Sequence, residues 1–163
     1  MAQVPLGGYR QRALSRRRSL SRMYLDSAYI AKFYVNEPNA TAVRKIIRRA
    51  PSVCSSAWAL LEVTCLFHRH VREGSLTVEQ GRELMQVFRT HVEGDLWNLV
   101  PVSDALLRTA TTLVRGLPQD VRLRAGDAIH LATALDVGES EIWTNDRHLL
   151  AAANHVGIIG KSV

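Results

Sequence analysis

"MYLDSAYIAKFYVNEP", residues 23–38, joins two patterns at a single acidic residue. "MYL" reads as a short strand. "SAYIAKFYV" reads as a helix halted by "NEP", because the residue before a proline is pushed out of the helical region. Asp26 stands at the joint. The same strand-then-helix unit recurs along the chain. "SVCSS" is a strand whose last serines suit a helix cap, and "AWALLEVTCLFHRHVRE" is the long helix after it, closed by Gly74. Thr77 caps "VEQGRELMQVFRTHV", in which Val78, Met85, Phe88 and Val92 share a face. "LWNLVPV" and "EIWT" are further strands, each followed by a helix, and "VGIIG" is a last short strand. Strands separated by helices imply a three-layer α/β/α sandwich with a central, mainly parallel sheet. Its ligand site is then expected beyond the carboxyl ends of the strands, near a switch in strand order.

With 163 residues and 47% apolar composition, the chain has the size of one domain with a real core. Cys54 and Cys65 form no CxxC pair and have no further Cys or His at zinc spacing, so both read as free, buried structural thiols in a reducing compartment. The formal charge of +6 is carried by six arginines before Met23, where no acid stands, and the remaining 15 basic residues balance 15 acidic ones. The basicity belongs to an arm, residues 1–22, and the domain is expected over 23–163. The arm's composition predicts disorder and would suit electrostatic contact with nucleic acid. The preferred reading is upstream sequence translated from an early start codon. "SRRRSL" resembles a twin-arginine signal, but Asp26 and Lys32 fall where an uncharged stretch is required. With no run long enough to span a bilayer, the expected location is the cytoplasm.

Four carboxylates lie in apolar surroundings. Asp26 and Asp146 follow strands, Asp127 sits in the first turn of "RAGDAIHLATAL", and Glu62 lies within "AWALLEVTCLF". Helix capping and the helix dipole account for three of them. They do not account for Glu62, because a buried carboxylate needs a cation or hydrogen bonds to stay ionised, and its helical neighbours offer no positive charge. A shared divalent cation solves the problem for all four. Mg2+ takes oxygen ligands at about 2.0–2.1 Å, usually one or two carboxylates with water and substrate phosphates. Without it, clustered acids repel and some take up protons. Such a pocket suits phosphodiester hydrolysis, with two ions about 3.5–4 Å apart in the fullest version. A dehalogenase-type phosphatase would need a second Asp two residues after the first, but Ser27 and Ala28 follow Asp26. GxxxxGK[ST] and GxGxxG loops are also missing.

The same stretches, "MYLDSAYIAKFYVNEP", "SSAWALLEVTCLF", "AGDAIHLATAL" and "IWTNDRHL", resemble the successive motifs of PIN-domain nucleases, most closely the VapC toxins of bacterial toxin–antitoxin systems. The resemblance covers residues 23 to about 160. It implies that Asp26, Glu62, Asp127 and Asp146 form the acidic set that binds Mg2+ or Mn2+ and carries catalysis. By the same likeness Thr144 supports the site, and Ser27 is expected to steady Asp26. Family members often carry another acid two residues after the last Asp. His148 stands there instead and puts a second metal site in doubt; it reads as a surface histidine. His130 is expected at the solvent or substrate rim.

The resemblance further implies an endoribonuclease that cuts tRNA or ribosomal RNA and arrests translation, a homodimer, and a VapB-like antitoxin. Arg122, Arg124 and Arg147 lie close enough in sequence to the acids to contact phosphates. The cluster Arg44, Lys45, Arg48 and Arg49 reads as solvated surface, and Tyr29, Phe33 and Tyr34 as core rather than an open antitoxin groove. The alternatives are a PIN nuclease outside toxin systems, in RNA processing or DNA cleavage, and a non-catalytic RNA-binding module. Retention of all four acids argues against the module.

Overall fold

The computed structural model of the chain describes residues 22–163. Five strands and seven helices alternate: β1 Met23–Leu25, α1 Ser27–Tyr34, α2 Ala40–Arg49, β2 Val53–Ser56, α3 Ala59–Arg72, α4 Val78–Glu93, β3 Asn98–Val100, α5 Asp104–Gly116, α6 Ala125–Asp136, β4 Glu141–Trp143, α7 Arg147–His155 and β5 Ile159–Lys161. The strands form one sheet in the order β3-β2-β1-β4-β5, and every neighbouring pair is parallel. The expected α/β sandwich is therefore present, with a wholly parallel sheet. From β1 the chain steps outward to β2 and β3, then returns to lay β4 on the other side of β1. The switch in strand order thus falls between β1 and β4, and open α/β sheets place their ligand sites beyond the carboxyl ends of the strands at such a point.

Successive residues of a strand point to opposite faces, and the two layers follow from that alternation. Leu25 and Val53 face α1 to α4 and join Tyr29, Ile30, Val43, Val63, Phe67 and Phe88 in one core. Tyr24, Cys54 and Ile142 face the other way, onto Leu131, Ala134, Leu149, Ala152 and Ala153. The first core is rich in aromatics and the second in alanines, so α6 and α7 approach the sheet closely. Complete burial of one side chain such as Phe67 is worth roughly 1.5–3 kcal/mol. α6 is buried from Ala128 through Ala134, so its polar side chains in that run lie in the interior.

Local chemistry sets several element ends. Gly74, at φ +74°, follows α3 as expected. Thr77 accepts from the Gln80 N–H while the Gln80 side chain accepts from the Thr77 N–H, the reciprocal cap that starts α4. Some expectations need correction. Val78 does not share the buried face of Met85, Phe88 and Val92, but is 49% exposed in the first turn of α4. The last strand begins at Ile159 rather than Val156, because Gly157 at φ +79° ends the preceding helix. Cys54 is buried, and burial pushes its thiol up to about 12, whereas Cys65 is exposed on α3. The arm lies outside the described residues except for Arg22. That residue joins the folded part, pairing with Glu139 at 3.1 Å beyond the end of α6. No helix among the described residues is long and apolar enough to cross a membrane.

Candidate active site

One hydroxyl links the carboxyl ends of β1 and β4. Leu25 pairs with Trp143, and the Asp26 N–H continues the ladder to the Trp143 carbonyl at 3.1 Å. This leaves Asp26 and Thr144 side by side. Thr144, fully buried, donates its hydroxyl hydrogen to Asp26 Oδ2 and accepts from the Asp146 N–H at 2.9 Å. Thr144 thus ties Asp26 to the backbone turn that carries Asp146, across the switch point.

Asp26 is the N-cap of α1, and its Oδ1 accepts from the Tyr29 N–H at 2.8 Å. Burial pushes its carboxyl above the ordinary value and the Glu62 charge pushes the same way, against the bonds from Thr144 and Tyr29 and the pull of His130. Asp146 caps α7, its Oδ1 accepting from His148 and Leu149 N–H at 2.7 and 3.2 Å. Its Oδ2 lies 3.7 Å from the exposed Arg124 guanidinium. Asp127 reaches back from the first turn of α6 to accept from the Arg124 N–H at 3.3 Å. Burial raises its carboxyl, and the Asp146 charge adds to the rise. Capping of helix ends by these three residues is therefore real. It does not remove the mutual repulsion, which a cation would relieve.

Glu62, on α3, sits at the rim with its side chain 34% exposed. Its Oε2 accepts from Ser27 Oγ and, at 2.9 Å, from His130 Nε2. Burial pushes its carboxyl up, but these bonds, the His130 charge and a bond from Trp58 hold it below the ordinary value. A Cβ at Gly126 would press on Glu62 Oε1, so a larger residue there would have to displace that carboxylate.

Two expectations are overturned here. Ser27 does not steady Asp26; its hydroxyl points across to Glu62 and His130 because the first turn of α1 packs against α3. His130 does not stand at a rim: it is 2% exposed and is held by Tyr24 Oη at Nδ1, 3.1 Å, and by Glu62 and Ser27 at Nε2. The apolar run around it in "DAIHLATAL" is the signal that a histidine there is interior. Lys32 went unremarked as a neighbour of the site. It is buried on α1 and its ammonium lies 2.9 Å from the Asn145 amide oxygen, when the amide is oriented so that its NH2 donates to Tyr29 Oη.

The arginines differ among themselves. Arg122, Arg124 and Arg147 are all exposed, and only Arg124 pairs with one of the four acids among the described residues. In the second basic cluster Arg44 is not free surface, since it donates to the Phe33 and Val35 carbonyls at the end of α1. Lys45, Arg48 and Arg49 are exposed. Tyr29 is buried, and Phe33 and Tyr34 pack on the first core, as expected.

An all-carboxylate donor set fits a hard divalent cation rather than a soft one. Among the described residues no three His, Cys, Asp or Glu side chains form a ready-made cage. A cation here would rest on one or two carboxylates, with water and a phosphate oxygen completing its shell, as Mg2+ usually does.

Comparisons with known proteins place the chain in a family and a fold. The family model for the PIN domain matches residues 23–155. The chain is 33% identical over 141 residues to "Ribonuclease VapC46" of Mycobacterium tuberculosis (strain ATCC 25618 / H37Rv), covering 85% of this chain and 95% of that protein. In fold it is similar to the crystal structure of Mycobacterium tuberculosis VapC20, described as a Sarcin-Ricin loop cleaving toxin. The TM-score is 0.66 at 16% identity, over 80% of this chain and 94% of the other.

Proposed function

The chain belongs to the PIN-domain family, and from that premise we propose that it is a VapC-type toxin, a Mg2+- or Mn2+-dependent endoribonuclease. The observation that carries this reading is the placement of Asp26, Glu62, Asp127 and Asp146 around the β1/β4 switch point, with Asp26 and Asp127 both pushed toward protonation. A polar binding module has no use for repelling carboxylates at that position. A site that takes up a divalent cation does.

When bound, the cation would supply Lewis acidity at the scissile phosphate and offset the negative charge of site and substrate. The chain's own residues do the rest. Thr144 and the α1 cap hold Asp26 in one orientation. Ser27 and His130 hold Glu62. Arg124, exposed beside Asp146, offers a guanidinium to an RNA phosphate, with Arg122 and Arg147 on the same rim. Burial keeps bulk water away from the Asp26 carboxylate.

The reading includes cleavage of tRNA or ribosomal RNA with arrest of translation, action in the cytoplasm as a homodimer, and control by a VapB-like antitoxin. RNA cleavage by the purified full chain in Mg2+, Mn2+ and EDTA, beside Asp26→Asn and Asp127→Asn, tests it. Expected is metal-dependent cutting that both substitutions reduce by about 1000-fold, the size of a several-kcal/mol loss of charge stabilisation. Cutting that persists in EDTA, or in both variants, would overturn it.

A further inference from the structure

We propose that His130 is a positioning residue that sets Glu62 in register with Asp127, through a hydrogen-bond train running from Tyr24 through His130 to the Glu62 carboxylate. This rests on the reading of the four acids as a divalent-cation site.

Glu62 and Asp127 come from opposite layers, Glu62 on α3 above one face of the sheet and Asp127 on α6 above the other. Apart from the close approach of Gly126 to Glu62 Oε1, side-chain contacts between the layers set one carboxylate relative to the other. His130 lies one turn after Asp127 on α6, and its Nε2 is 2.9 Å from Glu62 Oε2. An ionised carboxylate only accepts, so Nε2 carries the hydrogen. Ser27 Oγ gives its own hydrogen to the same Oε2 and lies 3.0 Å from His130 Nε2, which closes a three-membered network on that oxygen. On the far side of the ring Nδ1 meets Tyr24 Oη at 3.1 Å, and the Tyr24 ring meets the imidazole edge-on. Tyr24 is a wholly buried residue of β1, so the imidazole is anchored to the strand that leads into Asp26.

Glu62 Oε2 is thereby held twice, and Oε1, against Gly126 in the first turn of α6 and near the Trp58 indole at the start of α3, is the less committed oxygen. A side chain as long as Glu62, partly exposed, loses rotamer freedom when a cation binds; the train removes that freedom in advance. Partners that orient a metal-ligating carboxylate typically account for about 10–100-fold in metal affinity.

Mn2+ binding to the full chain, followed by electron paramagnetic resonance, reads this without catalysis. Compared with the parent are His130→Leu, His130→Gln, which returns an N–H donor near the Nε2 position, and Tyr24→Phe. Thermal unfolding without metal identifies any variant that fails to fold. Expected is Mn2+ affinity about 10–100-fold weaker in His130→Leu, restored toward the parent in His130→Gln, and intermediate in Tyr24→Phe. If His130→Leu does not fold, the same ranking of the Gln and Phe variants below the parent supports the assignment. Parent-like affinity in every folded variant, or a Gln variant as weak as Leu, overturns it. A parent chain that binds no Mn2+ instead overturns the cation-site reading, and the positioning role with it.

Discussion

Asp26 and Glu62 are held differently from Asp127 and Asp146. Asp26 has both oxygens bound by the fold, one by the α1 cap and one by Thr144, and Glu62 has one oxygen held twice. Asp127 and Asp146 are held by their own helix starts and faced by one exposed arginine. Asp26 and Glu62 each take a bond from a residue far away in sequence, whereas Asp127 and Asp146 are held within a single turn. The difference teaches where precision comes from: contacts across the fold orient the first two carboxylates, and local caps orient the other two.

Three substitutions probe that contrast, none of them at an acid. Thr144→Val keeps shape while removing the hydroxyl that joins Asp26 to the Asp146 turn. It leaves a buried N–H without its partner, so cleavage should fall about 10–100-fold and stability by about 1–3 kcal/mol, measured by single-turnover kinetics and thermal unfolding. An unchanged rate would show that Asp26 does not depend on its cross-chain tie. Gly126→Ala should push Glu62 out of place and reduce the rate by about tenfold, the equivalent of about 1.4 kcal/mol, with RNA affinity in a gel-shift assay unaltered. Weakened RNA binding at full rate would instead place Gly126 on the substrate path. Arg124→Ala should have the smallest effect, a few-fold rise in KM that disappears at high salt, with kcat unchanged, because its pairing with Asp146 is solvent-exposed. A loss in kcat would move Arg124 from the rim to the reacting phosphate.

What could be read from sequence divides along the same line. The strand-to-helix joints at Asp26 and Asp146 and the helix start at Asp127 were legible because a cap is written within four residues, and so was the capping role of Thr77, though not its reciprocal bond with Gln80. The parallel sandwich was legible from alternation, but the order β3-β2-β1-β4-β5 was not, since no local pattern states which strand β4 will pair with. Glu62 was visible as an anomaly without a partner. Its partner His130 is 68 residues away on a helix buried nearly all round, and periodicity could not assign that helix an inward face. Ser27 was misassigned for the opposite reason: adjacency to Asp26 suggested a contact that the first turn of α1 directs elsewhere.

The central claim is that the fold holds a repelling acidic site which a divalent cation completes, and its most direct test is thermal unfolding of the parent and Asp26→Asn, with and without Mg2+. Burial raises the Asp26 carboxyl in the folded state, so its favourable contribution is present at acid pH, below the ordinary carboxylate value, and is lost as pH rises through the raised one. At neutral pH, above the ordinary carboxylate value, the buried Asp26 carboxyl therefore costs stability that Asn, still able to cap α1, does not. Without metal the variant should melt a few degrees above the parent, about 2–4 °C per kcal/mol in a chain of this size. Mg2+ should raise the parent's midpoint and leave the variant's nearly unmoved. A variant that melts lower without metal, or gains as much from Mg2+ as the parent does, would contradict the account.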